Sequence, residues 1–169
     1  TVFQSLVILS MTYIQKLKMP RIVISDTSTL ILLDKIGELN LLQKVYGELV
    51  TTPEIAEEYG VTLPIWIKVQ PVGDKKYKTF LETQVDSGEA SAIALATEFE
   101  HAILILDDLK ARKLAVKLKI QTTGTLGVIH KAKQMSIIPE VKPLINKLLL
   151  TNFRISNHII VELLKLNNE

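Results

Sequence analysis

Two aspartate positions stand directly after runs of β-branched and aliphatic residues. Asp26 follows Ile22-Val-Ile-Ser25, and Asp107 and Asp108 follow Ala102-Ile-Leu-Ile-Leu106. Such runs read as short strands buried on both faces of a parallel sheet. A carboxylate at the carboxyl end of a buried strand is costly unless a cation or hydrogen-bond donors compensate it. That edge is also where open α/β sheets bind ligands. Two more acids join the set: Glu58, on the helix opened by Thr52-Pro53, and Glu89, in the first turn after Asp86-Ser-Gly88. Hard oxygen ligands of this kind suit magnesium or manganese rather than softer metals. Several carboxylates gathered at one edge repel each other without a cation. With one or two divalent ions, the same cluster can activate water and stabilise a phosphate under attack. Each acid alone has an ordinary explanation. Glu54, Glu57 and Glu58 suit a solvated face, Glu89 suits a helix macrodipole, and Asp107 with Asp108 suits a helix start. The same strand-then-aspartate device used twice is harder to explain that way.

Other chemistries lose ground by elimination. The chain of 169 residues has no cysteine, which excludes disulfides and thiolate metal sites and makes a reducing, cytoplasmic setting natural. His101, His130 and His158 are scattered and lack zinc-hydrolase spacing. There is no GxSxG, GxxxxGK[ST] or GxGxxG motif. Gly124-Thr-Leu-Gly127 is too sparse to cradle a phosphate by itself. A net charge of +2 permits a nucleic-acid partner without demanding one. The aromatic share of 5% argues against an extended base-stacking surface.

The elements that must position these acids alternate along the chain. Leu30 to Ile36 reads as a buried helix stopped by Gly37, and Glu38 to Tyr46 as a short amphipathic helix ended by Gly47. Leu49 to Thr52 is a strand, and Thr52-Pro53 caps a helix reaching Gly60. Trp66 to Gln70 alternates like an edge strand, and Asp74 to Val85 reads as a surface helix. Ser87 is expected to cap the helix carrying Glu89. After Asp108, a helix is expected to bury Leu109, Ala111, Leu114, Ala115 and Leu118 and to expose Lys110, Arg112, Lys113 and Lys117. Ile120 to Thr123 is a last strand. Helices follow from Gly124 to Ala132 or Met135, from Pro139 to Leu150 and from Phe153 to Leu166. Strands alternating with helices predict a single α/β domain over 19–169, with a short parallel sheet and helices on both faces. Residues 1–18 hold an apolar run, Leu6 to Leu9, too short to span a bilayer; they are expected to be either an extension without a part in the chemistry or an extra strand or helix packed on the domain.

Five segments occur in a telling order: Ser25-Asp-Thr-Ser28, Thr52-Pro53 to Glu58, Ser87-Gly-Glu-Ala-Ser-Ala-Ile-Ala94, Leu106-Asp-Asp-Leu-Lys-Ala-Arg112 and Thr123-Gly-Thr-Leu-Gly127. In these the chain resembles PIN-domain proteins of the DUF3368 branch, related to VapC-type toxins, over roughly residues 21–166. The resemblance implies a PIN-like three-layer α/β/α fold and a ribonuclease dependent on Mg2+ or Mn2+. It further implies the toxin of a toxin–antitoxin pair, commonly dimeric, inhibited by an antitoxin protein and free of the membrane. Carried over by position, Asp26 is the first aspartate and Glu58, directly before Tyr59, is the helix glutamate. Glu89 stands where many relatives have aspartate. The threonine usual before the last aspartate is Leu106 here, which leaves Asp107 and Asp108 both open as ligands; Asp108 is preferred because it starts the helix. The implied metal set is Asp26, Glu89, Asp107 and Asp108. The implied catalytic set is Asp26, Glu58, Glu89 and Asp108, with Thr27 and Ser28 near the water or phosphate. Lys110, Arg112, Lys113, Lys117, Lys131 and Lys133 would steer the RNA backbone by charge. Two alternatives compete: a catalytically degenerate domain that only binds RNA or protein, and a phosphotransfer receiver or small phosphatase, for which no strand-end lysine is found.

Overall fold

The computed structural model describes residues 21–169; the expectation for residues 1–18 lies outside them. Five strands form one all-parallel sheet. They are β1 (Ile22–Ser25), β2 (Leu49–Thr51), β3 (Ile67–Val69), β4 (Ala102–Ile105) and β5 (Gln121–Thr123). Their order is β3-β2-β1-β4-β5, so β1 and β4 are adjacent at the centre. The nine helices of the described residues are α1 (Thr27–Lys35), α2 (Asn40–Tyr46), α3 (Pro53–Tyr59), α4 (Lys75–Leu81), α5 (Ser87–Thr97), α6 (Leu109–Lys117), α7 (Thr125–Gln134), α8 (Lys142–Leu149) and α9 (Asn157–Leu166). This is the three-layer α/β/α arrangement expected from alternating apolar strands and helices.

The central pair explains why two aspartates end up together. β1 and β4 run in register from Ile22 opposite Ala102 to Ser25 opposite Ile105. Asp26 N–H continues the ladder by donating to the Ile105 carbonyl at 3.0 Å. Leu106, fully buried, extends β4 by one residue, and its N–H donates to the Thr123 carbonyl at 2.8 Å. Both chains therefore leave the sheet at the same edge. The core beneath it is aliphatic: Ile24, Leu30, Leu33, Leu42, Leu49, Ile93, Leu104 and Ile105 are all fully buried. Along α5 every residue from Gly88 to Ala96 except Glu89 is buried, which its small side chains permit. Trp66 is also buried, as core packing.

Element ends follow the sequence closely, with instructive exceptions. Thr52 caps α3 through Ile55 N–H, with Pro53 at the first helical position. The cap of α5 is Asp86 rather than Ser87: its carboxylate accepts from Glu89 N–H while Glu89 reaches back to Asp86 N–H, a capping box. Leu109 is not buried but 65% exposed, because Asp108 starts α6 at the surface and only Ala111 and Ala115 of the expected stripe are fully covered. Helices α8 and α9 begin at Lys142 and Asn157, later than Pro139 and Phe153 would place them. The intervening residues 150–156 form a bridging loop.

Candidate active site

Asp26 is the N-cap of α1 and is 3% exposed. Its Oδ1 accepts from Thr29 N–H at 3.0 Å and its Oδ2 from the Ser28 hydroxyl at 2.5 Å. These donors do not fully replace water. Burial, with a further push from Asp107, raises the Asp26 carboxyl from 3.8 to about 6.

Asp107 is held from both sides of β4, by Thr29 after β1 and by Thr125 after β5. It accepts from Thr29 Oγ1 at 3.3 Å, and from Thr125 N–H at 2.8 Å and the Thr125 hydroxyl. Gly124 makes this approach possible, since a Cβ there would lie 2.6 Å from Asp107 Oδ1. Gly124 and Thr125 therefore serve the carboxylate, whereas Gly127 leaves room for the Thr123 side chain. Asp108 does start its helix, as expected, capping α6 by accepting from Ala111 N–H at 2.8 Å. It is exposed and acts electrostatically on Glu89, whereas Asp107 acts on Asp26.

Glu58 and Glu89 come in from α3 and α5. A hydroxyl chain docks the two helices: Thr52 Oγ1 and Ser91 Oγ are 2.6 Å apart, and Ser91 donates to the Gly88 carbonyl at 2.7 Å. Glu58 Oε2 accepts from the Thr27 hydroxyl at 2.7 Å, which ties α3 to the start of α1. Gly88 leaves room for it, because a Cβ there would lie 2.9 Å from Glu58 Oε2. Glu54 has a different task. It pairs with Lys78, which also reaches Glu82 at 3.8 Å. Glu89 is raised from 4.5 to about 7 by burial, then by Asp86, Asp108 and Asp26.

Asp26, Thr27, Ser28, Glu58, Asp86 and Glu89 line one cavity of about 50 Å³. Of the acids expected from the sequence, Asp26, Glu58 and Glu89 thus meet at one cavity, whereas Asp107 and Asp108 are not part of its lining. Asp86 is the residue that reasoning missed. Its signal was an acid three residues before Glu89, the spacing of a capping box.

The donor set is all carboxylate and hydroxyl oxygen, and burial, with neighbouring carboxylates adding to it, raises both Asp26 and Glu89, a cost that a hard dication would relieve. By that criterion the residues fit such an ion. Among the described residues, however, no three Asp, Glu or His side chains converge closely enough to share one as they stand. Asp108 and Glu89 are turned to helix caps, and Glu58 to Thr27. Of the basic residues expected to steer RNA, Lys133 pairs with Glu169 at 3.3 Å and Lys131 sits 4.5 Å from the centre of the Tyr46 ring. On α6, Lys110, Lys113 and Lys117 are exposed and Arg112 is half-buried, and none of them forms an ion pair among the described residues.

A family match decides the classification. The DUF3368 family, described as a PIN domain, matches residues 22–169. The chain belongs to this family. No curated protein and no solved structure matched it. PIN domains are generally nucleases and usually bind divalent metals. This PIN domain spans the strands, the acid-bearing helices and the final helices alike, so the match covers every site residue named above. No helix among its described residues is long and apolar enough to cross a membrane.

Proposed function

We propose that this PIN domain is a ribonuclease dependent on Mg2+ or Mn2+, hydrolysing RNA phosphodiester bonds as the toxin of a toxin–antitoxin pair in the cytoplasm. The observation that carries the reading is Asp26. It is a nearly fully buried carboxylate at the end of a central strand, under-compensated by its donors and faced by other acids.

Asp26 and Asp107 would hold the metal from the β1–β4 seam, with Glu89 and Asp108 from the starts of α5 and α6. Bound there, a divalent ion supplies a nucleophile at neutral pH and offsets charge on the phosphate. Glu58, fixed by the Thr27 hydroxyl, orients the attacking water. Ser28, Thr29 and Thr125 keep the buried carboxylates aimed at the edge. Lys110, Lys113 and Lys117, exposed on α6, draw the RNA backbone toward it. In this reading the chain works as a homodimer packed over α9, whose Ile159, Val161 and Leu166 are 45%, 47% and 63% exposed, and an antitoxin protein inhibits it.

Cleavage of single-stranded RNA by wild type and Asp26→Asn, with and without EDTA, tests the reading. Wild type is expected to cleave only with metal, and the variant to lose at least about a hundredfold in rate. Equal cleavage by both would overturn Asp26's role. A second reading, a domain that binds RNA without cutting it, draws on the absence of a converged set of three acids among the described residues. Persistent RNA binding without cleavage under any divalent metal would favour it.

A further inference from the structure

Beside the carboxylates lies a second cavity, of about 340 Å³, that the hydrolytic scheme does not use. Its polar end is shared with the candidate active site, through Thr27, Ser28, Glu58 and Asp107. Its far end is different in character: Ile31 and Leu32 of α1 face Phe153 of the loop between α8 and α9, with Asn152 and Lys35 at the rim. A hydrolytic centre alone has no need of an apolar, aromatic annex.

The annex is built rather than incidental. Thr151 donates to the Leu148 carbonyl at 2.6 Å and accepts from Phe153 N–H at 3.0 Å, locking the turn that presents the ring. Leu148 is itself fully buried in the core. Asn152 is exposed next to that anchored turn, and no ion pair engages Lys35 among the described residues.

Resting on the ribonuclease reading, we propose that this cavity takes one unstacked nucleobase of a single-stranded RNA, next to the bond that is cut. The volume is at the small end of ligand pockets, which suits one nucleotide unit and not a duplex. Phe153 offers the ring on which a base stacks. Asn152 offers a donor and an acceptor to the base edge, as side chains do when reading unpaired RNA. Lys35 lies where an adjacent phosphate would pass. The phosphodiester itself then reaches the carboxylate end through the shared wall. One aromatic ring serves one base, in keeping with the low aromatic content of the chain.

The test compares wild type with Phe153→Leu, Asn152→Ala and Lys35→Gln on a library of short single-stranded RNAs, with cleavage positions mapped. The same variants are titrated with an RNA carrying 2-aminopurine, under EDTA. Wild type is expected to prefer particular bases at one position beside the cut and to brighten 2-aminopurine as the base leaves its stack. Phe153→Leu is expected to raise KM about tenfold with kcat little changed, and Asn152→Ala to flatten the base preference without altering the fold. Duplex RNA should be a poor substrate. If wild type cleaves and all three variants keep its KM and base preference, the subsite is overturned while the ribonuclease reading stands. If nothing cleaves but Phe153→Leu still weakens RNA binding and the 2-aminopurine signal, the subsite stands and the hydrolytic reading falls.

Discussion

At the scale of single residues, the site is a set of acids held in place at an electrostatic cost. Asp26 is raised from 3.8 to about 6 by burial and by Asp107. The native state therefore keeps a proton on Asp26 over a pH range in which the unfolded chain has released it. Stability from this group is complete below 3.8 and is lost as pH rises through about 6. Glu89, raised from 4.5 to about 7, works in the same direction. Asp26→Asn removes the buried charge while retaining an acceptable helix cap. In EDTA at pH 8, denaturant melts should show the variant more stable than wild type by on the order of 2 kcal/mol, with the gap closing toward pH 4. A variant less stable at pH 8 would show that the carboxylate is already well compensated. Which of the two adjacent aspartates sits beside Asp26 was not readable from the chain. Asp107 takes its place through Thr29 and Thr125, contacts that only the folded seam brings together. A helix-starting preference correctly finds Asp108 as a cap, yet says nothing about where a neighbouring side chain is drawn.

At the scale of elements, much of the design is written in local signals. Apolar runs define β1 and β4, Thr52-Pro53 opens α3, and Gly37 and Gly47, with φ of 72° and 79°, close the first two helices. Local signals misplace what depends on neighbours. Leu109 fits an apolar stripe but lies at the exposed mouth of α6. Ser87 is a good capping residue but yields to Asp86, which makes a two-way box with Glu89. Close packing of α3 against α5 also gives a test that separates function from folding. Gly88→Ala would place a methyl 2.9 Å from Glu58 Oε2, the mobile end of a side chain, so the fold can absorb it. Urea melts should shift by less than about 0.5 kcal/mol, while RNA cleavage falls about tenfold to a hundredfold through displacement of Glu58. An unchanged rate would remove Glu58 from the catalytic set.

At the scale of the whole molecule, an all-parallel sheet sends its strand ends to one edge, and connections from β1, β2 and β4 carry acids there. That convergence is the consequence of strand order β3-β2-β1-β4-β5, with the two aspartate-bearing strands side by side. Alternating strands and helices make the architecture legible from sequence, and the order of five weak motifs makes the family legible. The cavity at residues 151–153 was not legible, because a loop more than a hundred residues from Asp26 supplies its wall. In the proposed function Asp26, Glu89 and Asp108, now turned to helix caps, and Asp107, now held by Thr29 and Thr125, would gather around a divalent ion. Diffraction from a crystal soaked in Mn2+, recorded at a wavelength giving an anomalous manganese signal, tests this directly. A peak is expected beside Asp26 and Asp107, with Glu89 or Asp108 released from its capping role, and no peak in Asp26→Asn. A wild-type crystal with no manganese at this edge and every carboxylate still on its cap would contradict it.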